Sequence, residues 1–158
     1  MPPKKSLNWT HNRKEITDIP QMPKNTYGFV YQITIELDGK PFYYIGRKNL
    51  KTVRKVKLGK KELEQIKDKR LKKYKIVEKE SDWKTYTGSN KALNTLITQY
   101  GVEKLKMKKE ILEYCFSELE LKFKEVKQII CSGAMESTEY FNDNVSIKQI
   151  GTLDFNKK

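Results

Sequence analysis

The sequence predicts an α/β domain of the α+β kind, in which helices flank a small, mostly antiparallel sheet of three strands. The clearest sign is a β-hairpin, because apolar residues alternate from Phe29 to Leu37 and an aromatic-rich run follows from Pro41 to Ile45. A third strand-like run lies in residues 104–114, and two apolar stripes recur at helical spacing in the second half of the chain.

The amino-acid composition limits the classes of partner that the protein is expected to bind. The 158 residues suffice for one domain with a real core, and the formal net charge is +13. Such an excess predicts a polyanionic partner, and nucleic acid is the usual one. No stretch approaches a membrane span, no signal-peptide apolar block follows Met1, and two cysteines without metal-ligand spacing fit a reducing compartment. We therefore expect a cytoplasmic protein that binds no membrane.

The N-terminal residues 1–26 hold four of the five prolines and show no sustained periodicity. They predict an extended basic arm ahead of a domain at 27–158. Trp9 in this arm is expected to pack on the domain rather than to stack on a base. His11 has no partner His or Cys, so a metal role is not expected for it.

The hairpin is expected to form a phosphate-handling site. Asp38-Gly39 is its turn, because glycine tolerates the positive φ of a tight hairpin and aspartate suits the position beside it. Pairing of the strands brings Tyr31 and Tyr44 close together on one sheet. Arg47 and Lys48 follow directly after the second strand.

Residues 51–80 form a basic insertion, with 13 Lys and Arg against 5 Asp and Glu, or +8 of the total +13. Residues 60–73 can form a helix with a thin apolar stripe. The charge could simply form a solvated face, but the position of the insertion beside the hairpin favours contact with a phosphate backbone. Such contacts add affinity and salt dependence to binding but do not select a base sequence. The candidate DNA contacts here are Lys55, Lys57, Lys67, Lys69, Lys72 and Lys73.

Two helices are predicted after the insertion. The first is capped by Ser89 or Asn90 and closed by Gly101, and the Gly88-Ser89 turn leaves backbone N–H groups free for an anion. The second opens at a capping box that starts at Ser117, and Ser132-Gly133 ends it. Its apolar stripe is predicted to consist of Leu119, Phe123, Val126, Ile129 and Ile130.

Two further segments complete the chain. Residues 104–114 predict the third strand, although a helix is possible there. Glu125 lies next to the stripe of the last helix, so it is expected to be partly buried and to need a cation or a metal as partner. The tail after residue 140 is expected to pack back on the core.

Several motifs together resemble the GIY-YIG nucleases. FVY at 29–31 and YIG at 44–46 resemble the paired motifs of that family, although Phe29-Val30 replace the usual Gly-Ile. The run WKTYTGSNKAL at 83–93 resembles the version of this fold that is common among bacteriophage endonucleases of the Seg-like or homing-like type. Tyr140-Phe141-Asn142 matches the aromatic-Asn ending, so the resemblance covers about residues 27–147.

The resemblance implies a phage-encoded, metal-dependent endonuclease that hydrolyses phosphodiester bonds in double-stranded or branched DNA. It makes Tyr31 the general base with Tyr44 hydrogen-bonding nearby, and Glu125 the ligand of Mg²⁺ or Mn²⁺. Arg54 stands where the family places its helix arginine and would bind the scissile phosphate, while Asn142 would orient groups near the metal. A phenol with a pKa of about 10 is a poor base at neutral pH, so nearby cations must favour its ionised form.

Three alternatives stay open. Arg47 or Lys48 could take the phosphate role and leave Arg54 as a backbone contact, although we favour Arg54. The departure at Phe29-Val30 allows a non-catalytic nucleic-acid-binding module on the same scaffold, and the charge alone allows an RNA- or ribosome-associated protein. Second-rank candidates beside the scissile strand are Tyr86, Ser89 and Lys91.

Overall fold

The computed structural model of the protein describes residues 7–66 and 73–145. The chain divides into two compact units, one formed by the segments up to Leu50 and from Asp82 onward, the other by residues 51–81. In chain order the elements are β1 (Trp9–His11), β2 (Lys14–Ile16), β3 (Gly28–Leu37), β4 (Lys40–Asn49), β5 (Lys51–Lys57), α1 (Lys60–Glu64), β6 (Tyr74–Glu80), α2 (Lys91–Tyr100), β7 (Lys108–Cys115) and α3 (Glu118–Cys131). Short 3₁₀ turns lie at Ile19–Gln21 and Ala134–Glu136.

The first unit contains a five-stranded mixed sheet in the order β2-β1-β7-β3-β4. β1 runs parallel to β7, and the other neighbouring strands are antiparallel. The three predicted strands, β3, β4 and β7, are present and antiparallel. The expectation of a three-stranded sheet was nevertheless wrong, because β1 and β2 extend the sheet beyond β7.

The two extra strands come from the segment that we predicted to be an extended arm. Asn12 and Arg13 form the turn between them with φ of 49° and 66°, and Trp9 pairs with Ile16. Trp9 is completely buried, and its indole Nε1 donates a hydrogen bond of 2.6 Å to the carbonyl of Trp83. The tryptophan therefore packs on the domain, as expected.

The hairpin forms with the predicted turn. β3 and β4 pair from Leu37 opposite Lys40 back to Gly28 opposite Asn49. Asp38 and Gly39 have φ of 52° and 75°, the left-handed pair of values that a two-residue hairpin turn requires.

Hydrophobic side chains cover both faces of the sheet. On one face the alternate residues of β3 from Phe29 to Ile35 are buried in one cluster with Trp9, Trp83 and Leu93 of α2. On the other face Val30 and Ile45 pack in a second cluster with side chains of α3. The sheet therefore holds α2 and α3 in fixed positions around the hairpin.

The buried face of α3 differs from the predicted stripe. Leu121 and Ile129 are its buried residues, whereas Leu119 and Ile130 are 42% and 59% exposed. Leu119 and Ile130 lie almost opposite Leu121 on a helix of 3.6 residues per turn, so they cannot share its face. By the same geometry Glu125, four residues after Leu121 and four before Ile129, lies on the buried side.

The second unit is a two-stranded antiparallel sheet with a short helix. β5 and β6 pair from Lys51 opposite Glu80 to Lys57 opposite Tyr74. Of the helix predicted for residues 60–73, the described residues show only α1. The candidate DNA contacts Lys67, Lys69 and Lys72 lie outside the described residues. The expected tail beyond residue 145 also lies outside the described residues. Within the described ranges, α-helices are too short or too polar to span a bilayer.

Candidate active site

A cavity of about 710 Å³ in the first unit is lined by four of the five predicted catalytic residues, all except Arg54. Its walls come from the hairpin, from the turn before α2, from α3 and from the segment that follows α3. The polar and aromatic side chains that line it are Tyr31, Tyr44, Arg47, Tyr86, Ser89, Asn90, Lys91, Glu125, Asn142, Asp143 and Asn144.

The two hairpin tyrosines meet at the cavity as expected. Tyr31 faces Gly46 across the ladder and Tyr44 faces Ile33, so the two rings are diagonal neighbours with centroids 6.2 Å apart. Gly46 leaves the space that the Tyr31 phenol occupies, because a Cβ there would collide with the Tyr31 hydroxyl. The glycine of the YIG triplet is thus a steric requirement of the site.

The phenol of Tyr31 is protonated at neutral pH. Burial raises its pKa well above the usual value, and the charges of Tyr44, Tyr86 and Glu125 raise it further. Burial also raises the pKa of Tyr44, whose hydroxyl lies 3.1 Å from the hydroxyl of Ser89. Both tyrosines are therefore neutral hydrogen-bonding groups unless positive charge is added beside them.

An ion pair joins β4 to α3 at the cavity wall. The Arg47 guanidinium donates to the Glu125 carboxylate at 2.5 Å, and the Glu125 side chain is 19% exposed. Burial raises the pKa of Glu125, and Arg47 opposes that rise. The partly buried carboxylate thus has the cationic partner that its position demands.

Lys48 points to a different set of groups. Its ammonium donates to the Asp82 carboxylate at 2.5 Å and lies 4.0 Å from the centroid of the Tyr86 ring. The Tyr86 ring in turn lies edge-on to Tyr31, with centroids 6.1 Å apart. Lys48 therefore supports the wall of the cavity through Tyr86, whereas Arg47 reaches the cavity itself.

Asn142 fixes the segment after α3 to the edge of the sheet. Its amide nitrogen donates to the Ile45 carbonyl at 2.8 Å, and its amide oxygen accepts from the Ile45 N–H at 3.0 Å. The neighbouring Phe141 N–H donates to the Tyr43 carbonyl, also at 2.8 Å. Both ends of the Asn142 amide are thus hydrogen-bonded to the main chain of β4. These bonds hold Asn142 and the residues after it at the cavity wall.

The remaining sequence-predicted residues fall into two groups. Ser89 lies in the turn before α2 and Lys91 in its first turn, where Asn90 is the cap, and all three line the cavity. The second unit carries Arg54, Lys55, Lys57 and Lys73, and all four are exposed.

Sequence reasoning missed Asp143. This carboxylate lines the cavity directly after Asn142, and its charge helps to raise the pKa of Tyr44. Its position after the aromatic-Asn motif was the signal that could have identified it.

The donor set fits a magnesium ion that is completed by substrate and water. Glu125 and Asp143 are the carboxylates among the described residues that line the cavity, and no group of three or more His, Cys, Asp or Glu forms a metal cluster in the described part of the chain. Mg²⁺ usually takes one or two carboxylates together with phosphate oxygens and water, so a larger protein cage is not needed.

The family model described as "Putative endonuclease segE, GIY-YIG domain" matches residues 9–145. The match begins at β1, so it includes the strands that the sequence analysis had left out of the domain. Searches of curated proteins and of solved structures found no match.

Proposed function

The chain belongs to the GIY-YIG endonuclease family, and from that premise we propose that it hydrolyses phosphodiester bonds of DNA at the cavity between the hairpin and α3. The observation that carries the proposal is the meeting of Tyr31, Tyr44, Arg47 and Glu125 at one cavity, although almost a hundred residues separate the first from the last. Phosphate, a hard cation and an attacking water are the ligands that such groups bind.

Arg47 is our candidate for binding the scissile phosphate. A guanidinium offers a planar fork of donors that matches phosphate oxygens, and Arg47 presents this fork at the cavity. Arg54, which the sequence analysis favoured, belongs to the second unit. We therefore assign the phosphate contact to Arg47 and give Arg54 a separate role below.

Glu125, with Asp143 beside the same cavity, would hold the divalent ion, Mg²⁺ or Mn²⁺. When bound, such an ion neutralises charge on the phosphate and lowers the pKa of water. Glu125 is paired with Arg47. A metal cation that binds the Glu125 carboxylate therefore competes with Arg47, and a phosphate that binds the Arg47 guanidinium competes with Glu125. Binding of either ligand releases the group that the other needs, so the two should bind cooperatively.

Tyr31 would act on the attacking water. As a neutral phenol it orients the water by hydrogen bonding. It can accept the water's proton only after it has lost its own proton to solvent, and that phenolate forms only where added positive charge offsets the burial of Tyr31. Tyr44, held by Ser89, borders the same space and would hydrogen-bond to the substrate or to the water. Asn142 is proposed as a positioning residue, since its amide is engaged by Ile45.

The test is cleavage of supercoiled plasmid, linear duplex and branched DNA with Mg²⁺, Mn²⁺ or EDTA. We expect metal-dependent cleavage that falls by at least about a hundredfold in Glu125→Gln and in Arg47→Ala. Glu125→Gln should bind DNA at least as tightly as the wild type without metal, because it releases Arg47. Glu118→Gln is the matched control, since Glu118 begins the same helix and pairs with Lys122 on its exposed surface.

Two outcomes would contradict the proposal. One is the absence of cleavage of every substrate with either metal, which together with metal-independent binding would favour the non-catalytic module. The other is cleavage that Glu125→Gln leaves unchanged. The replacement at Phe29-Val30 does not favour the non-catalytic module, because both side chains are buried in the core on either face of β3.

A further inference from the structure

The β5–β6 pair is a two-stranded ribbon whose seven residue pairs run from Lys51 opposite Glu80 to Lys57 opposite Tyr74. At about 3.4 Å per residue its length is roughly 20 Å. Most of its side chains are exposed on both faces, including Val53 at 62% and Ile76 at 63%. Such a ribbon buries little apolar surface of its own, so its residues are available to a partner.

The two faces of the ribbon differ in charge. Residues that face each other across an antiparallel pair project to the same side, so the register divides the side chains into two sets. One set, the cationic face, consists of Thr52, Arg54, Val56, Lys75, Val77 and Lys79. The other set, the mixed face, consists of Lys51, Val53, Lys55, Lys57, Tyr74, Ile76, Glu78 and Glu80.

The strands place carboxylates only on the mixed face, where Glu78 approaches Lys51 at 3.9 Å. On the cationic face Lys75 is paired at 2.9 Å with Glu62 of α1. The Arg54 guanidinium and the Lys79 ammonium form no hydrogen bond or ion pair with a residue that the structure describes. Among the described residues, the cationic face therefore offers a guanidinium and an ammonium that no carboxylate compensates.

We propose that the cationic face of the ribbon enters the major groove of duplex DNA and that Arg54 reads a guanine there. The major groove of B-form DNA is about 12 Å wide and admits a two-stranded ribbon, and arginine binds the O6 and N7 atoms of guanine with two hydrogen bonds. Val77 faces Arg54 across the ribbon and offers an apolar surface suited to a thymine methyl group. Lys79 would contact a phosphate.

This proposal rests on DNA being the substrate, and it gives Arg54 a base-reading role in place of the scissile-phosphate contact that was expected from the sequence. Arg54 is the one arginine of the two strands, and lysines by themselves act as point charges on phosphates. The ribbon favours DNA over duplex RNA, because the A-form major groove is too deep and narrow for side chains to read.

The experiment is selection of bound duplexes from a random-sequence library, carried out in EDTA with the full chain as Glu125→Gln, so that binding is measured without cleavage. We expect an enriched motif that contains at least one guanine. Adding Arg54→Ala should remove the preference at one guanine position by about tenfold or more. Arg54→Lys should weaken the same preference, because lysine lacks the planar fork of donors, while it keeps the salt dependence of binding.

Lys55→Ala is the matched control, since it removes one positive charge from the next residue of the same strand, on the mixed face. It should weaken binding at low salt and leave the motif intact. An unenriched library, a motif that survives Arg54→Ala, or tighter binding to duplex RNA would each overturn the proposal. Metal-dependent nicking of a plasmid is measured separately, so failure of sequence reading is distinguishable from failure of the nuclease function.

Discussion

A methyl group added at Gly46 would test whether Tyr31 takes part in the chemistry. The Cβ of Gly46→Ala would collide with the Tyr31 hydroxyl and lie 2.7 Å from its Cζ, whereas ordinary contact begins near 3.4 Å. The ring must therefore move by at least about 0.7 Å, the difference of those two distances, and the hydroxyl, which lies closer to the added Cβ, must move further. Trp9 and Tyr86, with ring centroids 5.0 and 6.1 Å from that of Tyr31, limit where it can go.

The expected effect is large on cleavage and moderate on stability. Overpacking a buried site costs about 1–3 kcal/mol, which leaves most domains folded. Displacing a reacting group by about 1 Å can lower a rate by about a hundredfold. We therefore expect Gly46→Ala to bind DNA normally and to cleave it about a hundredfold more slowly.

The assay is metal-dependent nicking of supercoiled plasmid, with urea unfolding of the same samples. Gly59→Ala is the matched control, because it makes the same change at a residue with φ of −68° and with no atom within 4 Å of the added Cβ. Tyr31→Phe removes the hydroxyl alone and serves if Gly46→Ala does not fold. Wild-type cleavage by folded Gly46→Ala or Tyr31→Phe would refute the role given to Tyr31.

Three further predictions concern buried groups. Burial lowers the pKa of Lys109 to about 8, so the unfolded chain holds the extra proton between pH 8 and the usual lysine value, and the free energy of unfolding should rise with pH in that window. Urea unfolding should show this rise in the wild type and not in Lys109→Met; an equal rise in both would contradict the assignment. Trp9→Ala should cost about 3–5 kcal/mol in urea unfolding, because the ring is completely buried, and a loss below about 1 kcal/mol would exclude it from the core. A thiol reagent should modify the exposed Cys131 rapidly and spare Cys115, whose burial raises its pKa to about 12; equal rates would contradict that burial.

The sequence predicted those parts of the fold whose signals are local. The hairpin was evident because alternation and Asp38-Gly39 lie within one short segment, and the helix ends because caps are local too. β1 and β2 were missed because strands of three residues carry no period, and because β1 joins the sheet by pairing with β7, about a hundred residues away. The buried face of α3 was misjudged because several apolar patterns fit the same helix.

The sequence indicated which types of residue form the candidate site, but it indicated less well which individual residues of each type belong to it. Glu125 was expected to be partly buried beside a cation, and the structure shows it paired with Arg47. Sequence spacing could not choose between Arg47 and Arg54, and only the fold shows that Arg47 lines the cavity. Asn142 was expected to orient groups at the site, and its bonds to Ile45, which hold it at the cavity wall, are visible only in three dimensions.

The order in which the cavity walls appear during synthesis has a consequence for the cell that makes this protein. The hairpin emerges early, yet its neighbour β7 and the carboxylate of α3 emerge much later, and Asn142 closes onto β4 last. A ribosome adds about 5–20 residues per second, so the first tyrosine waits several seconds for its partners. Under the proposed mechanism, a chain that ends before α3 lacks Glu125 and Asn142, so an interrupted translation product should not cleave DNA.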